Sequence, residues 1–186
     1  MRTVTIEDMA TSTLLTIDDF ERLPPEMAEY HELVNGELVD VSGNTPEHNW
    51  LRDYLVELLR RWVREKNLGR VIGEQEYDFL GNAHGPDVSF FASGKLPLVD
   101  PHKRVQRFVP DLAIEIASPS DTYEGLLKKK ERYLAAGTVE VWLISAQTRQ
   151  VAIYGSETRL CRGTDTLATN LIPGFSITVD QLFDQA

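Results

Sequence analysis

Cysteine is nearly missing from this chain of 186 residues. Cys161 alone can form neither an internal disulfide nor a cysteine zinc finger, and it suits a reducing compartment. The four histidines show no HxH or HExxH spacing, which argues against a histidine-dominated metal centre. No run approaches the roughly 18 apolar residues of a membrane span. Glu7 and Asp8 stand where a signal peptide would carry its apolar stretch. A cytoplasmic protein with no membrane partner is expected. Positive charge is scarce: 19 Lys and Arg face 29 Asp and Glu, a formal net charge of −10. That excludes a histone-like protein held to nucleic acid by overall charge, so such a partner needs a local basic patch or metal ions. There is no Gly-rich phosphate loop, no Ser-His-Asp arrangement and no internal repeat.

What is present suits a folded domain: 42% apolar and 26% charged residues can build a real core. Residues 1–15, polar and Thr-rich, read as a flexible leader, and 16–186 as a single domain. Thr16 caps a short helix that stops at Pro24-Pro25. Asn35-Gly36, between two short β-forming runs over 30–34 and 37–41, signals a hairpin. Leu51, Tyr54, Leu55, Leu58, Leu59, Trp62 and Val63 recur at helical spacing, with Pro46 near the first turn and Gly69 as the stop. His48 is a helix-start residue. Strands are expected over 71–79, 88–91 and 112–117, with a polar loop over 93–107 carrying His102, Lys103, Arg104 and Arg107. A helix over 122–136, capped by Ser120 or Asp121 and closed by Gly137, precedes strands at 139–144 and 150–154. A turn-rich stretch and a short helix after Thr178 follow. The order predicts an α/β fold, a mixed sheet flanked by helices with an N-terminal β-hairpin.

Acidic residues in apolar strands need explaining. Asp87 follows Gly85-Pro86 and opens Val-Ser-Phe-Phe, while Glu115 is embedded in Leu-Ala-Ile-Glu-Ile-Ala. A carboxylate inside such a run is costly unless paired or metal-bound, although alternation equally allows Glu115 the solvated face of an edge strand. Further on, Lys128, Lys129 and Lys130 lie on a helix whose apolar sector comprises Tyr123, Leu126, Leu127, Tyr133 and Leu134. Lys128 points away from that sector, Lys129 lies at its edge and Lys130 in its middle. Lys129 can reach over a sheet edge, whereas Lys130 must snorkel or find a partner. Periodicity permits either as a site lysine.

Several segments together resemble one family. They are Tyr30-His-Glu-Leu-Val-Asn-Gly-Glu-Leu, Gly85-Pro-Asp-Val-Ser-Phe, Pro110-Asp-Leu-Ala-Ile-Glu-Ile-Ala-Ser-Pro-Ser-Asp and Lys129-Lys-Glu-Arg-Tyr-Leu-Ala-Ala-Gly-Thr-Val-Glu-Val-Trp, with Leu171-Ile-Pro-Gly-Phe near the end. In this order they are similar to the Uma-two family of putative restriction endonucleases. The resemblance implies a PD-(D/E)XK nuclease fold with Asp87 as first acid and Glu115 as second. The usual lysine slot, two residues past Glu115, holds Ala117. Family members look as though they supply the lysine from the following helix, in the register of Lys129. Thr122 and Gly125 are smaller departures. Pro110-Asp111 mimics the PD motif but lies too close to Glu115 to form the usual pair from adjacent strands. Glu32 is either a supporting acid or an ordinary hairpin charge.

The chemistry so implied is hydrolysis of phosphodiester bonds in nucleic acid, DNA foremost. Asp87, Glu115 and the Ile116 carbonyl make a hard oxygen site for Mg²⁺ or Mn²⁺. Lys129 would orient water and stabilise charge on phosphorus. Replacing it by Met is expected to leave the melting temperature nearly unchanged. Lys103, Arg104 and Arg107, or the lysine helix, would supply the basic patch. A homodimer is expected, with Leu33 or Val41 at the contact. The alternatives are an inactive nuclease-fold interaction module and a hydrolase of smaller phosphate esters.

Overall fold

The computed structural model describes residues 14–41 and 43–185, so residues 1–13 of the expected leader lie outside the described residues. The last leader residue is tied to the hairpin turn: the Leu15 N–H donates to the Gly36 carbonyl at 2.9 Å. Thr16 caps α1 (Ile17–Glu21) through a reciprocal capping box with Asp19. Pro24-Pro25 ends that helix, and Pro25 also starts a second, α2 (Pro25–Ala28), at the position where a missing N–H costs nothing. The hairpin is β1 (His31–Val34) and β2 (Glu37–Asp40), antiparallel. Its turn residues Asn35 and Gly36 have φ of 52° and 83°, the pair of positive values that the tight hairpin turn requires.

The long amphipathic helix is α3 (Pro46–Glu65), capped by Thr45. Leu51, Leu55, Leu59 and Val63 are buried in the main core, joined from the first turn by His48. Asn67, at φ 53°, follows the helix in the left-handed conformation that Gly69 was expected to supply. Gly69 instead opens β3 (Gly69–Gly73), where φ is 154° and an added Cβ would lie 2.0 Å from the Phe91 carbonyl oxygen. The strand expected over 71–79 is two strands. β3 ends at Gly73, the chain turns at Glu74 (φ 54°), and β4 (Glu76–Asp78) belongs to a different sheet. A left-handed Glu has no sequence signature, which is why the break was not legible.

Next come β5 (Ala83–His84), β6 (Val88–Ala92), a 3₁₀ helix (Ser93–Leu98) and β7 (Val105–Gln106). The expected polar loop therefore carries ordered structure. They are followed by β8 (Leu112–Ile116), α4 (Tyr123–Ala136), β9 (Glu140–Ser145) and β10 (Gln150–Tyr154). The turn-rich stretch contains β11 (Thr158–Arg162), β12 (Thr166–Leu167) and β13 (Ile177–Thr178) before α5 (Val179–Gln185). Thr122 caps α4, taking the place expected for Ser120 or Asp121, and Gly137 closes it at φ 107°.

Two sheets matter. The order β2-β1-β5-β4-β7 makes a five-stranded sheet, and β11-β10-β9-β8-β6-β3 a six-stranded one. In the latter only β8 and β9 are parallel, so α4 is the crossover between them. Leu112, Ile114 and Ile116 of β8 pack with the apolar stripe of α3. The alternate residue Ala113 packs instead with Tyr77, Phe79 and Tyr133. This second layer lies between the large sheet, β4 and α4. Tyr133 alone of the α4 apolar sector is fully buried; Tyr123 is 75% exposed. Leu33 belongs to the core under the hairpin, so it cannot supply a dimer contact, whereas Val41 remains exposed.

Gly69→Ala forces a Cβ into backbone on the neighbouring strand, where nothing flexible can yield. Urea unfolding should show a loss of about 3 kcal/mol; a loss below about 1 kcal/mol would contradict the packing described for β3.

Candidate active site

The alternation of β8 turns Glu115 toward α4 and the smaller sheet. β8 lies between β6 and β9, so Glu115 is not on the solvated face of an edge strand; it is only 5% exposed. The antiparallel register Val88↔Ile114, carried one step further, sets Asp87 across from Glu115. Asp87 lies just before β6, and its carboxylate is near enough to help raise the pKa of Glu115. Asp87 is held at both oxygens. Oδ2 accepts from the Ile116 N–H at 2.7 Å, and Oδ1 lies 3.2 Å from Nε2 of His48. Asp111 lies four residues before Glu115 and has separate partners, accepting from the Ala92 N–H and from Lys95, both at 2.7 Å.

The crossover helix brings the lysine. Lys129 Nζ lies 3.1 Å from each carboxylate oxygen of Glu32 and 3.6 Å from Oε2 of Glu115. One turn further along α4, the Tyr133 hydroxyl donates to Oε1 of Glu115 at 2.5 Å. Lys130 takes the other direction. Its ammonium sits 4.8 Å from the centre of the Tyr154 ring and 3.5 Å from Glu131.

Glu32 arrives on β1 and is buried. It accepts from the Gly85 N–H at 3.2 Å and contacts Nδ1 of His84 at 2.8 Å. The other nitrogen of that ring, Nε2, lies 2.7 Å from Nη1 of Arg132. A guanidinium only donates, so Nε2 accepts, and the His84 proton resides on Nδ1 and is given to Glu32. Hydrogens from Lys129, His84 and Gly85 thus occupy the oxygens of Glu32. Its place in the site is that of counter-ion to the lysine.

Electrostatics separate the acids. Burial pushes Glu115 up to about 8, helped by the Asp87 and Glu32 carboxylates and opposed by Lys129 and the Tyr133 hydroxyl. Glu32 is buried too, but Lys129 and His84 hold it at about 2. Lys129 rises above its ordinary value: burial opposes its charge, and Glu115 and Glu32 outweigh that cost. Burial also disfavours charge on His48, yet Asp87 and the Ile116 carbonyl raise it above the usual histidine value. His84 moves down, with burial the largest cause. Of the two glutamates, Glu115 is thus the one that ionises less readily.

The hard oxygen donors of Asp87, Glu115 and the Ile116 carbonyl could hold a divalent cation. Among the described residues no three His, Cys, Asp or Glu side chains gather into a cage for a metal. Two carboxylates completed by water and substrate oxygens suit a hard cation such as Mg²⁺ or Mn²⁺. The approach lies at Asp87 and Lys129, with side chains 13% and 22% exposed against 5–6% for Glu32 and Glu115.

The cations of the basic loop are paired with acids of the same chain. Lys103 pairs with Glu21 at 3.1 Å, and Arg104 grips Glu76 at 2.5 and 2.6 Å. Arg107 pairs with Asp18, Glu21 and Asp78. These cations fasten the loop to α1 and β4. Four site residues escaped the sequence reading: His48, His84, Arg132 and Tyr133. His48 did leave a signal, being in phase with Leu51 and Leu55 on the apolar stripe. His84 and Arg132 meet only through the fold.

Residues 17–180 match the Uma2 (Uma-two) family, described as "Putative restriction endonuclease". The crystal structure of a putative nuclease belonging to DUF820 from Anabaena variabilis has the same fold, with a TM-score of 0.81 and 23% sequence identity. The alignment covers 92% of this chain and 98% of that one. Comparison with curated proteins gives no match.

Two stability effects follow. Lys129→Met strands a buried Glu32 carboxylate, so the near-unchanged melting temperature expected from sequence gives way to a loss of about 3 kcal/mol. Glu115, near its ordinary 4.5 when unfolded and about 8 when folded, favours folding fully below about pH 4.5. That contribution is lost as pH rises through 8. Metal-free protein should therefore lose stability from pH 5 to 8.5 by on the order of 2 kcal/mol more than Glu115→Gln does. Denaturant midpoints in chelator give the difference, and parallel profiles would contradict the buried-acid assignment.

Proposed function

The chain belongs to the Uma2 family, and on that premise we propose that residues 16–186 form a metal-dependent endonuclease domain that hydrolyses phosphodiester bonds of nucleic acid, DNA foremost. The observation that carries this is the placement of Asp87 and Glu115 across adjacent strands, with the Lys129 ammonium 3.6 Å from Glu115. Asp87, Glu115 and the Ile116 carbonyl would hold Mg²⁺ or Mn²⁺. When bound, the cation supplies Lewis acidity to the scissile phosphate and the attacking water.

The protein's own groups do the positioning. The Ile116 N–H and His48 fix the Asp87 carboxylate, and Tyr133 fixes that of Glu115. Lys129, anchored on Glu32, presents a positive charge where negative charge accumulates on the phosphoryl oxygens. No side chain of the site needs to act as a covalent nucleophile. Because α1 and β4 neutralise the basic loop, phosphate attraction falls to the cation and Lys129. We place the protein in the cytoplasm, and we expect a homodimer to set two such sites against the two strands of a duplex. Among the described residues no helix is long and apolar enough to cross a membrane.

Wild-type protein should cut plasmid DNA with Mg²⁺ or Mn²⁺ and lose that activity in EDTA and in Asp87→Ala. Lys129→Met should lower cleavage at least ~100-fold. Lys130→Met, which removes a charge resting on Tyr154, should cleave within about twofold of wild type, as expected for a side chain outside the site. Exchange of the two lysine phenotypes would overturn the assignment. Wild type that cuts neither DNA nor RNA would favour an interaction module on a nuclease scaffold.

A further inference from the structure

We propose that Arg132 and His84 are positioning residues that lock Glu32, and through it the Lys129 ammonium, against Glu115. The links form a closed ring. Arg132 on α4 donates to Nε2 of His84 on β5 at 2.7 Å, and His84 donates to Glu32 on β1 at 2.8 Å. Glu32 then receives Lys129, three residues before Arg132 on the same helix, at 3.1 Å. One helix holds both ends of the chain, and two strands of the smaller sheet hold its middle.

The chemistry of the ring leaves His84 a single compatible state. Arg132 presents only hydrogens, which excludes both the Nε2–H tautomer and the imidazolium. The imidazole is 1% exposed, so water cannot take the place of either partner. Its plane is confined by Tyr133 at 5.7 Å and Phe79 at 6.1 Å between ring centres. Glu32 is consequently fixed at Oε2 by a neutral donor that does not compete with Lys129 for its charge. Released from His84, the Glu32 carboxylate could turn about its own side chain, and the ammonium would shift toward Glu115 or Asp87.

The catalytic part of this inference rests on the nuclease reading, so the test has two arms. An Asn at position 84 puts an amide nitrogen near the place of Nδ1 and can still donate to Glu32. A Gln reaches the place of Nε2 instead, facing Arg132. His84→Asn should recover most of the wild-type kcat, whereas His84→Gln and Arg132→Met should lower kcat about 10–100-fold with little change in KM. The second arm needs no activity. Nitrogen-15 NMR of wild type should show His84 as the Nδ1–H tautomer. Acylation of Lys129 by a water-soluble active ester, read by mass spectrometry, should rise about tenfold in His84→Gln and stay near wild type in His84→Asn. A wild-type ring protonated at Nε2, or equal labelling of Lys129 in the two variants, would overturn the positioning role. Absence of cleavage by wild type would overturn the nuclease reading alone, and the NMR and labelling results would still decide the positioning role.

Discussion

The Lys129 ammonium ties together the crossover helix and the two sheets beside the core that they share at Tyr77, Ala113 and Tyr133. It reaches from the crossover helix to Glu32 of the five-stranded sheet and Glu115 of the six-stranded sheet. Charges this far from water are costly, and their attraction offsets the cost only where further hydrogen bonds complete them. Glu32 has those bonds, from His84 and Gly85. Glu115 has Tyr133 and a more distant lysine, and Asp87 stands across from it with its own charge. The raised Glu115 is a property of the fold: it is buried beside two other carboxylates, and the Lys129 ammonium lies nearer to Glu32.

This arrangement explains how an acidic protein can be built around phosphate chemistry. Lys103, Arg104 and Arg107 of the loop over 93–107 stitch α1 and β4 to the rest of the smaller sheet, with Arg104 also stacked 4.5 Å from the centre of the Phe20 ring. That sheet carries Glu32 and His84. The loop's contribution to the site is mechanical: it braces the scaffold from which the lysine is anchored. Its charge is consumed in the process.

Much of the architecture was legible because local chemistry dictated it. Asn35-Gly36 tolerates two positive φ values, the stripe from Leu51 to Val63 has one apolar side, and Gly137 ends α4 in the left-handed conformation. The opposition of Asp87 and Glu115 was open to sequence reading through the alternation of two strands and the family resemblance. Other features depended on long-range contacts. Glu74 breaks a run that looks continuous, and it is held by Arg52 at 2.5 Å from another element. His84 belongs to a two-residue strand with no periodicity of its own. Arg132 looks like any solvated helix residue until β5 is brought beside it. The ion pairing of the basic loop was hidden for the same reason, since its acidic partners Asp18, Glu21 and Glu76 lie far from it in sequence.

The decisive question is which carboxylates take a cation. Crystals soaked in Mn²⁺ and measured at the manganese absorption edge answer it directly. The geometry predicts one anomalous peak touching the Asp87 and Glu115 carboxylates and the Ile116 carbonyl, with Glu32 still bound to Lys129. A peak on Glu32, or none at saturating Mn²⁺, would show that Asp87 and Glu115 do not form a metal site.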